Sequence, residues 1–157
     1  MRLIRTILHP TDFSSKAERA FELACELAQS LNARIIVLHA APSPLHPWSR
    51  SSRAFDHGRK QWREARERLY AIDAGDLEIQ HLIVAGEPAS AIIRAAHELD
   101  AGLIVMGAPR RIPWRWLHGP SIAETVIFEA PCPVLTSGEF TSAAALRHDR
   151  WNQAFRN

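Results

Sequence analysis

The sequence predicts one α/β domain built around a parallel sheet of five strands. Short apolar runs alternate along the chain with longer segments in which apolar residues recur every three or four positions. This alternation is typical of right-handed strand–helix–strand crossovers, which place helices on both faces of a parallel sheet. The length of 157 residues suits a single core, and hydrophobic residues make up 46% of the chain.

Each element follows from its local pattern. Apolar residues recur at helical spacing from Lys16 to Leu31, and Ser14 or Ser15 can cap that helix. The run Ile35–Leu38 suits a strand that is buried on both faces. Pro88 can occupy a first helical turn, where its missing N–H is not needed. The predicted strands are 3–8, 34–40, 77–84, 102–106 and 132–137, and the predicted helices are 16–31, 54–72, 89–99 and 121–130.

The chain divides into one domain and a short extension. Residues 1–137 contain all the predicted elements, and we expect residues 138–157 to form a short helix or to be disordered. Pro131 and Pro133 flank the start of the last strand, and proline within a sheet is found at edges and strand starts. The last strand is therefore predicted at an edge of the sheet.

The strand order predicts where a ligand binds. In doubly wound sheets, ligands lie at the carboxyl ends of the strands, at the point where the strand order reverses. For a Rossmann-like order of 3-2-1-4-5, that point lies between the first and fourth strands. The loops that reach it are 9–14 and 107–121.

Composition narrows the class of protein. The net charge of +2 is too small to predict nucleic-acid binding, and no apolar run is long enough to span a membrane. The two cysteines, Cys25 and Cys132, do not form a disulfide framework and are interpreted as structural thiols. The start of the chain lacks signal-peptide features, so we expect a cytoplasmic protein that binds neither nucleic acid nor a membrane.

Three stretches carry a resemblance to the universal stress protein family. Ile7–Ser14 resembles the family's first strand and acidic turn, and Gly86–Ala89 with Leu103–Gly107 resembles the approach to its nucleotide loop. Ser121–Leu135 resembles the closing helix and last strand. Each motif is weak alone, but their order and spacing from residue 3 to residue 137 identify the chain as a member of this family.

The resemblance implies a fold, a role and an assembly. It implies a flavodoxin-like or Rossmann-like three-layer sandwich with the sheet order 3-2-1-4-5. It also implies a regulatory or adaptor domain in stress response. Members of the family are often dimers paired through the last strand, where Val134 and Leu135 provide local support for a homodimer.

Some family members bind ATP through a loop of the pattern Gly-x2-Gly-x9-Gly-Ser/Thr. In this sequence Gly107 matches the first glycine, whereas Arg110 and Pro120 stand where the second and third are expected. Gly119 is one place early, and Ser121 matches the final position. The resemblance further implies that Asp12 contacts ribose and that Ala40 and Met106 back the adenine. The candidate nucleotide-contacting residues are Pro10, Thr11, Asp12, Ala40, Met106, Gly107, Arg110, Gly119 and Ser121.

The departures from this pattern leave two interpretations. Arg110 brings a side chain and Pro120 lacks an N–H where backbone should approach phosphate. We therefore predict a regulatory or adaptor domain that requires no cofactor, with a protein partner at Arg110–His118. In the alternative, the domain senses ATP or another adenylate with Mg²⁺, and arginines in place of the lost donors contact the phosphates. No catalytic constellation is present in the sequence, so we do not expect an enzyme.

Asp12 and two histidines each have a structural and a functional interpretation. Asp12 is either a ribose ligand or a turn aspartate that accepts backbone N–H bonds. His9 and His39 end neighbouring strands, where a metal site or proton relay is conceivable. Since no cysteine or carboxylate cluster accompanies them, we predict that neighbouring polar groups satisfy both imidazoles.

Overall fold

A computed structural model describes residues 3–42, 52–108 and 121–137. These residues form a five-stranded parallel sheet in the order 3-2-1-4-5, which confirms the predicted fold. The strands are β1 (Thr6–Pro10), β2 (Arg34–Ala41), β3 (Ile79–Ala85), β4 (Leu103–Gly107) and β5 (Val134–Ser137). The described helices are α1 (Ser15–Leu31), α2 (Ser52–Tyr70), α3 (Pro88–Glu98) and α4 (Ile122–Glu129). Within these ranges, no helix has the length and apolar character needed to cross a membrane. The predicted extension 138–157 and the predicted partner site Arg110–His118 lie outside them.

The sheet separates two hydrophobic cores. Consecutive strand residues point to opposite faces, so Ile7 packs toward α1 and α2 whereas Leu8 packs toward α3 and α4. The central strands are buried on both faces, as their uninterrupted apolar runs predict. On the α1 side, the helix presents a stripe of small residues to the sheet: Ala17, Ala20, Ala24 and Ala28. This stripe brings the helix axis close to the central strands.

The helix ends follow the capping residues in the sequence. Ser14 caps α1, accepting a bond from the backbone N–H of Ala17 at 3.3 Å. Asn32 ends the same helix in the left-handed conformation, with φ 51°. Glu87 caps α3 directly before Pro88, which lies in the first helical turn as predicted.

The first strand lies further along the chain than predicted, at Thr6–Pro10 rather than at residues 3–8. The pattern placed a turn from His9 onward, but β1 continues to Pro10, which is paired with Leu38 of β2. The N–H of Thr11 donates to the Leu38 carbonyl at 2.8 Å, so Thr11 bonds toward β2 and Pro10 faces β4. The ladder between β1 and β4 ends at Leu8 and Ile104. Pro10 is tolerated at this end of a central strand because its missing N–H faces β4, where the backbone ladder goes no further.

Substituting within the alanine stripe tests the close packing of α1. We expect Ala24→Leu to destabilise the domain by about 1–3 kcal/mol, since the added carbons meet the sheet and must displace it. Gln29→Leu, on the exposed face of the same helix, should change stability by no more than about 0.5 kcal/mol. Urea unfolding of both variants measures the difference. Equal stability of the two variants would show that α1 does not pack closely against the sheet.

Candidate functional site

The two central strands separate at the carboxyl edge of the sheet. The pairing of β1 with β4 ends at Leu8 and Ile104, whereas β1–β2 pairing continues to Pro10 and β4–β5 pairing continues to Gly107. Beyond Leu8, β1 and β4 are therefore no longer paired with each other, and we call this unpaired end the separation of β1 and β4. The separation lies where the strand order reverses, which is the ligand position in open α/β sheets.

A buried histidine spans this separation. Continuing the register would make the N–H of residue 10 the donor for the Val105 carbonyl, but Pro10 has none. The Nδ1–H of His9 donates to that carbonyl instead, at 2.9 Å. His9 is 1% exposed, and its ring lies 5.4 Å from that of Phe21. A side chain thus replaces the ladder bond that proline removes.

The burial of His9 fixes its charge. Desolvation lowers the pKa of His9 from 6.5 to about 4, although the bond to Val105 and the charge of Asp12 act in the opposite direction. The imidazole is therefore neutral at physiological pH. His39 is also bonded to backbone, since its Nδ1–H donates to the Thr11 carbonyl at 2.8 Å. These bonds agree with the prediction that neighbouring polar groups satisfy both histidines.

The loop after β1 carries an exposed carboxylate. Thr11 is buried, and its Oγ1 accepts a bond from the Phe13 N–H at 3.0 Å. Asp12 is exposed, and its Oδ1 accepts a bond from the Ser14 N–H at 2.9 Å. This is the turn geometry expected of an aspartate at such a position. It also fixes the orientation of the carboxylate in the loop that follows β1.

Asp12 is ionised in this setting. Partial desolvation would raise the pKa of Asp12, but bonds from the hydroxyl and N–H of Ser14, a bond from its own backbone N–H and the charge of Lys16 together lower it. The group is therefore a ready acceptor for hydroxyl or amine donors. The structural interpretation and the ligand-binding interpretation of Asp12 are compatible, since the turn bonds orient the carboxylate.

The other described candidate residues differ in their exposure and in their packing. Pro10 is buried beneath the loop, and Ala40 is half-buried at the end of β2. Met106 is 5% exposed and packs in the core beside α3 and α4, so it borders the site mainly through its backbone. A Cβ on Gly107 would lie 3.0 Å from the Lys16 carbonyl carbon. Gly107 therefore allows the first turn of α1 to approach β4, which is a packing role independent of any ligand.

Ser121 begins α4 with a reciprocal cap. Its hydroxyl accepts a bond from the Glu124 N–H at 3.2 Å, and its own N–H donates to Glu124 Oε2 at 2.9 Å. The helix predicted to start at Ser121 is confirmed. The remaining two candidate residues, Arg110 and Gly119, lie outside the described residues.

The pattern of the sequence did not indicate two residues that shape this loop. Phe13 has a left-handed backbone, with φ 61°, and its ring centroid lies 4.5 Å from that of His39. The guanidinium carbon of Arg68 lies 4.3 Å from the Phe13 ring centroid. Arg68 belongs to α2 and is 55 residues away in the chain, so no local spacing could have linked the two.

These features define an α/β domain in which the pairing of β1 with β4 ends early at the point where the strand order reverses. The model of the universal stress protein family matches residues 3–137. A curated relative from Thermus aquaticus, "Universal stress protein in QAH/OAS sulfhydrylase 3'region", is 35% identical over 137 residues, covering 85% of this chain and 98% of the relative. The chain belongs to the universal stress protein family.

Two solved structures of related proteins carry adenine nucleotides. A universal stress protein in complex with cAMP is 28% identical, with a TM-score of 0.64, and the match covers 88% of this chain and all of the other. The universal stress protein from Archaeoglobus fulgidus in complex with dAMP is 25% identical, with a TM-score of 0.63. That match covers 86% of this chain and 98% of the other.

The neutral His9 predicts a specific loss of stability in acid. Between pH 6.5 and pH 4 the unfolded chain binds a proton at His9 that the folded chain does not, so stability falls as the pH falls. From pH 8 to pH 5 the contribution of His9 is a loss of about 2 kcal/mol. His9→Asn, whose amide can still donate to Val105, should lack this component, whereas His57→Asn on the exposed face of α2 should retain it. The unfolding free energy of the unmodified protein and of both variants is measured at pH 8 and at pH 5. An equal loss of stability in all three proteins would contradict the lowered pKa of His9.

Proposed function

We propose that this chain is a regulatory domain of the stress response that binds an adenine nucleotide at the separation of β1 and β4. The ionised Asp12 carboxylate, held at that separation by Ser14, carries the proposal. The cAMP and dAMP complexes of related proteins with the same fold support it. Binding at this position makes nucleotide level the signal that the domain reads.

The described residues divide the task of holding the nucleoside. Asp12 accepts bonds from ribose hydroxyls, since an ionised carboxylate is a strong acceptor. The half-buried Ala40 and the backbone of Met106 provide an apolar border for the base. Gly107 contributes indirectly, because it keeps the first turn of α1 and the loop before it against the end of β4.

The residues at two of the family's glycine positions favour a ligand with a single phosphate group. Arg110 and Pro120 replace glycines at which backbone N–H groups would otherwise approach phosphates. The nucleotides of both related complexes carry a single phosphate. We therefore propose a nucleoside monophosphate or cyclic nucleotide as the ligand, with ATP gaining little from its additional phosphates.

The proposed role is binding without catalysis. In the described part of the site, the side-chain oxygens that resemble nucleophiles already serve the backbone: Ser14 caps α1 and Ser121 caps α4. His39 donates to the Thr11 carbonyl, and His9 is buried and neutral.

We also propose that two copies pair through β5. Among the described strands β5 lies at the sheet edge, so no described strand pairs with the outer side of its backbone, and its residue Leu135 is 38% exposed. The neighbouring helix α4 leaves Ile127 and Phe128 at 49% and 82% exposure. Large apolar side chains exposed together at a sheet edge favour a partner surface of the same kind.

Calorimetric titration with AMP, cAMP and ATP tests the nucleotide site. We expect binding of AMP or cAMP that Asp12→Asn weakens about tenfold or more, since a charged acceptor is lost. Asp73→Asn is a matched control, because Asp73 Oδ1 accepts a bond from the Gly75 N–H at 3.1 Å in a similar turn on another loop. No binding by the unmodified protein at millimolar nucleotide, or equal affinity in Asp12→Asn, would overturn the proposal.

Sedimentation equilibrium tests the proposed pairing. The unmodified chain should be a dimer, and Leu135→Lys should shift it toward monomer by placing a charge at the paired edge. Leu31→Lys is the control, since Leu31 is 43% exposed at the end of α1. A monomeric unmodified chain, or a dimer unaffected by Leu135→Lys, would exclude β5 as the interface.

A further inference from the structure

Phe13 has a backbone conformation that its side chain does not favour. Its φ of 61° lies in the left-handed region, where glycine, asparagine and aspartate are the common residues. The conformational strain of a phenylalanine in this region must be offset by favourable contacts with the residues around it. The position is one residue after Asp12, so the same backbone turn determines where the Asp12 carboxylate lies.

The compensation comes from two other elements. His39, at the end of β2, packs its ring 4.5 Å from the ring of Phe13, with an interplanar angle of 34°. Arg68, in the last turn of α2, places its guanidinium carbon 4.3 Å from the ring centroid, which is within cation–π range. An Arg68 Nη2 donor also points to the Phe13 carbonyl, at 3.5 Å.

These contacts extend to the carboxylate through the hydrogen bonds of the loop. The Phe13 N–H donates to Thr11 Oγ1, and the Thr11 carbonyl accepts from His39. On the other side, the Ser14 N–H donates to Asp12 Oδ1. Rotation of Phe13 out of the left-handed region would turn the following Ser14 N–H away from Asp12 Oδ1.

We infer that Phe13 and Arg68 are positioning residues, which lock the loop after β1 so that the Asp12 carboxylate stays at the separation of β1 and β4. The end of α2 is thereby a determinant of the site, although α2 contributes no ligand contact of its own. The consequence for nucleotide affinity rests on the proposed function, whereas the consequence for the geometry of Asp12 does not.

The test compares two arginines of the same helix. Arg68→Lys keeps the charge but loses the planar group over the ring. Arg66→Lys is the matched control, because the Arg66 guanidinium carbon lies 5.6 Å from the Tyr70 ring centroid, with no contact to the loop. Two quantities are measured in each protein: the pKa of Asp12, followed by the NMR signal of its carboxyl carbon, and the dissociation constant for cAMP.

In Arg68→Lys we expect the pKa of Asp12 to rise toward its ordinary value and the dissociation constant to increase about two- to fivefold. Arg66→Lys should change neither. Phe13→Leu, which keeps an apolar side chain but removes the ring, should change both in the same direction. An unchanged pKa of Asp12 in both Arg68→Lys and Phe13→Leu would overturn the inference. If the unmodified protein does not bind cAMP, AMP or ATP, the proposed function fails, but the pKa comparison still decides whether Phe13 and Arg68 position Asp12.

Discussion

The hydrogen bond from His9 to the Val105 carbonyl is the constraint on which this site depends. This bond joins β1 to β4 at the point where Pro10 has no N–H to donate. The two bonded residues are 96 positions apart in the chain. Because the proline ends the backbone ladder, β1 and β4 share no further ladder bond toward the carboxyl edge of the sheet. Because the imidazole replaces one bond, the parting does not leave the buried Val105 carbonyl without a donor. The separation is therefore built into the packed core, and the loop that carries Asp12 begins from a fixed base.

Polar groups around the separation fall into two sets. The side chains of the first set are hydrogen-bonded to the backbone and hold the strands, the loop and the helix ends in place. They belong to His9, His39, Thr11, Ser14 and Ser121. The second set, in the described residues, is chiefly the ionised Asp12, which is both held by the turn and exposed at its mouth. This division is consistent with the ligand recognition by position and charge that we propose.

Features of the fold that depend on local sequence patterns and on topology rules could be predicted from the sequence alone. Strand order, the cap at Ser14 and the reversal of the strand order between β1 and β4 were predictable, because each depends on short-range spacing or on the alternation of strands and helices. The end of β1 was predicted wrongly, since a proline normally ends a central strand and the compensating bond from His9 spans 96 residues. The contact of Arg68 with Phe13 was missed for the same reason: tertiary packing sets it, and an arginine in a charged helix resembles a solvated one.

The most direct measurement of the central claim is a map of backbone amide shifts during titration of isotope-labelled protein with cAMP. The account predicts saturable changes concentrated at Thr11–Ser14, Ala40 and Met106–Ala108, on the carboxyl edge of the sheet. The opposite edge, which carries Arg34, Glu78 and Gly102 at the strand starts, should be unaffected and provides an internal reference. Saturable shifts confined to that opposite edge, or none at any concentration up to several millimolar, would contradict the account.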